Sequence, residues 1–136
     1  MAEALPDNRL LLLAQDAGEV PLLSALCVGA AVPVAEIGYD RRARRVALIL
    51  RRFRWEVGGD SRVLSALRIE SVTAVRRRHW PAEPAVLELL AFAYDDGALT
   101  LTFAGGVTLR AEVECPDLVL EDLGAPWAAN RPGHDD

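Results

Sequence analysis

Between residues 41 and 80 the chain carries twelve arginines against three acids, Glu56, Asp60 and Glu70, a local net charge of +9. The remaining residues carry −14, and the whole chain −5. A guanidinium group makes paired hydrogen bonds to carboxylate or phosphate oxygens, so the chemistry on offer in this stretch is anion recognition. All fifteen basic residues are arginine, a usage that fits a GC-rich bacterial genome. Arg41, Arg42, Arg44 and Arg45 fall in or beside a hairpin connection. Period-two alternation predicts that Arg52, Arg54, Arg68, Arg76 and Arg78 point outward from neighbouring strands, with Arg110 joining them. These six are the candidate anion- or partner-binding residues. Glu56, Glu70, Glu88 and Glu112 also occupy polar strand positions, where exposed cross-strand pairs contribute about 0–1 kcal/mol each. Alanine at Arg52 or Arg54 is therefore expected to change stability by under about 1 kcal/mol.

A nucleic-acid reader adds aromatic rings to its basic face. Here Phe53 and Trp55 have the opposite parity to Arg52 and Arg54, and Trp80, beside His79, is the exception. Binding to RNA or DNA tighter than about 1 μM at about 150 mM salt is not expected. Catalytic patterns are missing: no HExxH, P-loop, GxGxxG or GxSxG occurs, and the histidines are His79 and His134 alone. "FAGG" reads as a hairpin turn, because no helix follows it to hold a phosphate. A Cys115–His79 nucleophile pair is the weakest reading. No catalytic residue, metal ligand or cofactor is expected. Cys27 and Cys115 belong to no CxxC, and two reduced thiols acting as small buried hydrophobes suit a reducing cytoplasm.

The elements that must position these residues follow from the apolar pattern. Leu10 to Ala14 reads as a strand. A helix follows, with Leu22, Leu23, Leu26 and Cys27 as its apolar stripe and Gly29 as its stop. Pro21 either opens that helix or distorts its first turn. Val32 to Tyr39 and Val46 to Val57 read as strands, and Val63 to Arg78 as one long bent strand or two. Val86 to Tyr94 is apolar on both faces except at Glu88, as in a central strand. Asp95–Gly97 signals a hairpin. Leu99, Leu101 and Phe103, then Val107, Leu109, Ala111 and Val113, alternate with polar residues and should be buried while Thr100, Thr102, Thr108 and Glu112 are more exposed. "PDLVLEDLG" reads as a short C-terminal helix.

The predicted class is therefore α+β: a single curved, mostly antiparallel sheet or partial barrel of about six to seven strands, with an N-terminal helix and a short C-terminal helix. A pleckstrin-homology-like roll is a variant. One domain is expected over residues 9–129, with residues 1–8 and 130–136 disordered. Sixteen uncharged residues from Val20 to Ala35 fall short of the ~20 that span a bilayer, and the acidic segment before them has the wrong sign for a signal peptide.

"RRFRWE" at 51–56, "LTFAGG" at 101–106, "AEVEC" at 111–115 and "LEDLGAPWAANRPGHD" at 120–135 together resemble an uncharacterised alphaproteobacterial family, the domain of unknown function numbered 2948. The likeness runs from about Leu10 onward and is most specific in the C-terminal half. It implies a small bacterial cytoplasmic protein and brings no activity, cofactor or site residue with it. The leading functional expectation is a non-enzymatic protein-interaction or accessory domain, with an acidic protein partner or a second copy as a homodimer. A phosphate- or RNA-binding domain using the arginine face is the alternative, and a small enzyme of unknown class comes third. No membrane association is expected.

Overall fold

The computed structural model describes residues 9–129, together with the backbone of Ala2–Ala4. The remaining residues of the 1–8 and 130–136 segments, where disorder was expected, lie outside the described residues. Twelve strands form one sheet: β1 (Ala2–Ala4), β2 (Leu10–Ala14), β3 (Ala30–Pro33), β4 (Ile37–Asp40), β5 (Arg45–Phe53), β6 (Ser61–Ile69), β7 (Val72–Arg78), β8 (Val86–Asp95), β9 (Ala98–Phe103), β10 (Thr108–Val113), β11 (Leu118–Asp122) and β12 (Trp127–Ala128). Helix α1 (Val20–Leu26) lies between β2 and β3. The sheet runs β1-β2-β11-β6-β5-β3-β8-β9-β10-β7, with β12 on β6 and β4 on β5. Every pairing in it is antiparallel. The sheet is strongly curved: Leu12 and Leu118 from one end of the order share a core with Val72, Leu109 and Ala111 from the other.

The alternating stretches fold as their pattern dictates. Leu99, Leu101, Phe103, Val107, Leu109 and Val113 are buried, whereas Thr100, Thr102, Thr108 and Glu112 are half-buried or exposed. The β9–β10 register sets Leu109 against Leu101 and Ala111 against Leu99, so the two apolar faces coincide. At the β8–β9 hairpin Asp96 (φ 51°) and Gly97 (φ 75°) both adopt the left-handed region, as a two-residue turn matched to strand twist requires.

Four expectations are corrected. Among the described residues the strand number is twelve, not six to seven, because turns split Val32–Tyr39 into β3 and β4 and Val63–Arg78 into β6 and β7, and short edge strands add to the sheet. "LVLED" is strand β11, not a helix. It lies between β2 and β6, whose ladders satisfy its backbone on both edges, and alternation carries Leu118, Leu120 and Asp122 into the interior. In α1 the buried residues are Val20, Leu23 and Ser24, with Cys27 following, while Leu22 faces solvent. The helix begins at Val20 with Pro21 in its first turn, where no N–H is needed. Strand β8 is interior in the pairing order but covered on one face only: Leu87, Leu89 and Phe92 are buried and Val86 is 66% exposed. An irregularity between Leu89 and Ala91 brings both Leu89 and Phe92 inward, and the Phe92 N–H donates to Ser24 Oγ at 2.9 Å, tying α1 to the sheet.

Candidate functional site

The predicted arginine face does not form as one surface. Arg52 shares the parity of Val46, Leu48 and Leu50, so the strand carries it into the interior, where it is 0% exposed. Its Nε and Nη2 donate to Asp122 Oδ1 at 3.2 and 3.0 Å, and Nη1 and Nη2 each donate to Glu56 at 2.9 Å. Nε also reaches Ser65 Oγ, and Nη1 the Phe53 carbonyl. Asp122, 2% exposed, accepts from Ser65 Oγ at 2.7 Å and from the Leu10 backbone N–H at 3.0 Å as well. This cluster joins β2, β5, β6 and β11. Burial opposes the Arg52 charge, but the bonds to Glu56 and Asp122 hold its pKa above the ordinary arginine value. Burial likewise acts against the Glu56 charge, and the Arg52 hydrogen bonds outweigh it, leaving that carboxyl below the usual range. All three guanidinium nitrogens already donate within the protein, so the cluster is a structural clamp with nothing to offer a ligand.

The other predicted arginines separate into two regions. Arg68 on β6 binds Glu121 at 3.0 Å, and half-buried Arg54 donates to Ser61 Oγ at 3.3 Å. Arg76, Arg78 and Arg110 do come together, since the β7–β10 register sets Arg110 against Arg76 and Thr108 against Arg78. Arg76 pairs with Glu112 at 3.6 Å, and Arg110 reaches Thr100 Oγ1 at 3.5 Å. Further along the same charged stretch, Arg44 pairs with Glu114, Arg45 with Glu70 at 2.9 Å, and Arg51 with Glu36 at 2.7 Å. The hydrogen bond and charge of Arg51 place the Glu36 carboxyl below its usual range.

Two of the arginines that meet no carboxylate among the described residues, Arg41 and Arg77, come together elsewhere. Among the described residues β4 pairs only with β5, and β7 only with β10. The two strands face each other across an open seam, pinned at one end where the Val72 N–H donates to the Arg44 carbonyl at 2.8 Å. The seam holds a cavity of about 270 Å³. Buried Val46 and Leu109 lie at its base, Ile37 and Tyr39 line the β4 side, and Val75 and Trp80 the β7 side. Arg41 and Arg77 flank it. Arg41 stacks on the Tyr39 ring at 5.8 Å and Arg77 on Trp80 at 5.1 Å, and neither meets a carboxylate among the described residues. Trp80 is held in turn by an edge-on contact with Phe103 at 6.2 Å between centroids. An aromatic-backed guanidinium on each wall of a slot that also holds apolar side chains can recognise a carboxylate attached to an apolar body. Of these residues the sequence had marked Trp80, as the one aromatic out of step with the sheet parity, Arg41, as part of the basic hairpin connection, and Leu109, as a core position. The shared parity of Val75 and Arg77 was the available signal for the rest.

Over residues 10–134 the chain matches the family described as "Protein of unknown function (DUF2948)". The chain belongs to this family. Membership of the DUF2948 family carries no assigned chemistry to test against the seam. No curated protein and no solved structure matched the chain. Among the described residues no group of three His, Cys, Asp or Glu side chains is placed to hold a metal ion, and no helix is long and apolar enough to cross a membrane. Both cysteines are free thiols, but only Cys27 is buried. Cys115 is exposed, against expectation, because it lies two residues beyond the end of β10. Burial pushes the Cys27 thiol up to about 12, despite the opposing charge of nearby Arg52.

Proposed function

We propose that this protein is a non-enzymatic interaction domain of a reducing cytoplasm, and that it captures an acidic protein partner in the seam between β4 and β7. The observation that carries this reading is the contrast between its arginines. Arg44, Arg45, Arg51, Arg52, Arg68 and Arg76 are neutralised by the protein's own carboxylates. Of those that meet no carboxylate among the described residues, Arg54 and Arg110 donate to hydroxyls and Arg62 lies over Phe53, while Arg41 and Arg77 are held on aromatic rings at the mouth of one cavity. A cation left unneutralised beside desolvated apolar surface is complementary to a carboxylate on a protein segment. Nucleic acid fits less well, because the Trp80 ring is occupied by Arg77 and Phe103 instead of being free to stack on a base. The test is affinity purification from the native cell in the presence of nuclease, comparing wild type with the Arg41→Gln/Arg77→Gln variant. A protein that co-purifies stoichiometrically with wild type and is lost from the variant supports the reading. Co-purification that nuclease abolishes, or that the variant leaves unchanged, refutes it.

A further inference from the structure

Resting on the reading above, we propose that the partner enters the seam as an added β-strand, with one apolar side chain in the cavity and carboxylates two positions to either side. The two walls of the cavity are strand edges. β4 and β7 each have a hydrogen-bonded neighbour on one side only among the described residues. An exposed edge presents unpaired N–H and C=O groups, and the ligand class that satisfies such a row is another extended backbone. Arginines on an edge strand guard it against pairing with a second basic copy, and by the same charge they select an acidic one.

Side-chain parity sets the pattern of the incoming segment. On β4, Ile37 and Tyr39 share a face, with Arg41 in the turn directly after the strand, and on β7, Val75 and Arg77 share one. β7 therefore steps from an apolar residue to an arginine on one face, and β4 presents two apolar residues with an arginine in the turn that follows. A strand laid between them presents alternate residues to the same face. Its apolar anchor meets Val46, Val75 and Leu109, and acidic residues at the second positions before and after it meet Arg41 and Arg77. The cavity of about 270 Å³ is at the lower limit of small-molecule pockets, which span roughly 300–1,000 Å³, and suits one large apolar side chain. Strand β7 has seven residues, so a segment of about seven covers the edge.

The test uses the full chain and a capped synthetic peptide, Thr-Glu-Thr-Leu-Thr-Glu-Thr, followed by amide NMR at about 150 mM salt. Shifts confined to β4 and β7, with slowed amide exchange on β7, are expected. Two further peptides carry backbone N-methyl groups on alternate residues, one set each. At least one should bind about tenfold more weakly, since methylation deletes the edge hydrogen bonds. Lysine in place of both glutamates should abolish binding, and Arg41→Gln/Arg77→Gln should weaken it about tenfold. No binding of the parent peptide at about 1 mM, binding of both methylated peptides as tight as the parent's, or shifts centred on another face overturns the added-strand proposal. A nuclease-resistant partner lost from the Arg41→Gln/Arg77→Gln variant would still leave the interaction reading standing. If that variant keeps its partner, the interaction reading itself fails.

Discussion

Arg52→Ala tests the interior clamp. The substitution leaves Asp122, 2% exposed, with only the Ser65 hydroxyl and the Leu10 N–H as partners, and deprives Glu56 of its bidentate contact. Removing one member of a buried ion pair costs about 3–5 kcal/mol, because the remaining charge stays desolvated and unpaired. For a small domain with a urea m-value of roughly 2 kcal/mol/M, a loss of about 4 kcal/mol lowers the unfolding midpoint by about 2 M. Arg54→Ala is the internal control: its guanidinium donates to the Ser61 hydroxyl and forms no carboxylate ion pair among the described residues, and its loss should cost under about 1 kcal/mol. Combining Arg52→Met with Asp122→Leu removes both buried charges and should recover part of the loss. Urea unfolding followed by tryptophan fluorescence and circular dichroism gives all three values. Equal, sub-1 kcal/mol effects (about 1 kcal/mol being the exposed-site limit) at Arg52 and Arg54 would show that Arg52 is solvated and the clamp absent.

Acid stability should follow Glu36 and Glu56, both held below 4.5, their value in an unstructured chain. The unfolded chain then takes up protons first as pH falls, so the stability from these carboxylates is complete above pH 4.5 and lost as pH drops through their lower folded values. Glu56→Gln should flatten the acid limb of a stability-against-pH curve, and an unchanged limb would contradict the coupling to Arg52. Thiol titration of the native protein should detect Cys115 alone, with Cys27 reacting only after denaturation; two equally fast thiols would place Cys27 at the surface. Phe103→Ala should cost about 3–5 kcal/mol, and because Phe103 supports the Trp80 ring, it should also weaken capture at the seam, whereas full retention of capture would separate the ring contact from the site.

Local signals in the sequence were enough for the hairpins from β8 to β10. Their strands alternate cleanly, and Asp95–Gly97 can form little but a tight turn. The clamp was harder to foresee, because Arg52 and Asp122 lie 70 positions apart and Asp122 ends the five-residue stretch Leu118–Asp122, whose length suits a strand or a helical turn equally. The core parity of Val46, Leu48 and Leu50 did lead directly to Arg52, but an unpaired arginine at that place would be prohibitive, and its partner was out of view. The same limit hid the seam. The charge excess over residues 41–80 is plain in the sequence, but which arginines are neutralised depends on strand register. Arg44 finds Glu114 and Arg76 finds Glu112 only once β10 is laid beside β7.

The central claim, that the β4–β7 seam is where this protein meets an acidic protein, is tested most directly by photocrosslinking in the native cell. A photoreactive side chain at Gly38 sits on the seam's rim, where an added side chain meets nothing within 4 Å. The same group at Thr102, exposed on β9, is the control. One nuclease-resistant protein adduct is expected from position 38, absent at position 102 and lost when Arg41→Gln and Arg77→Gln are added. A nucleic-acid adduct at position 38, or the same protein adduct from both positions, would contradict that claim.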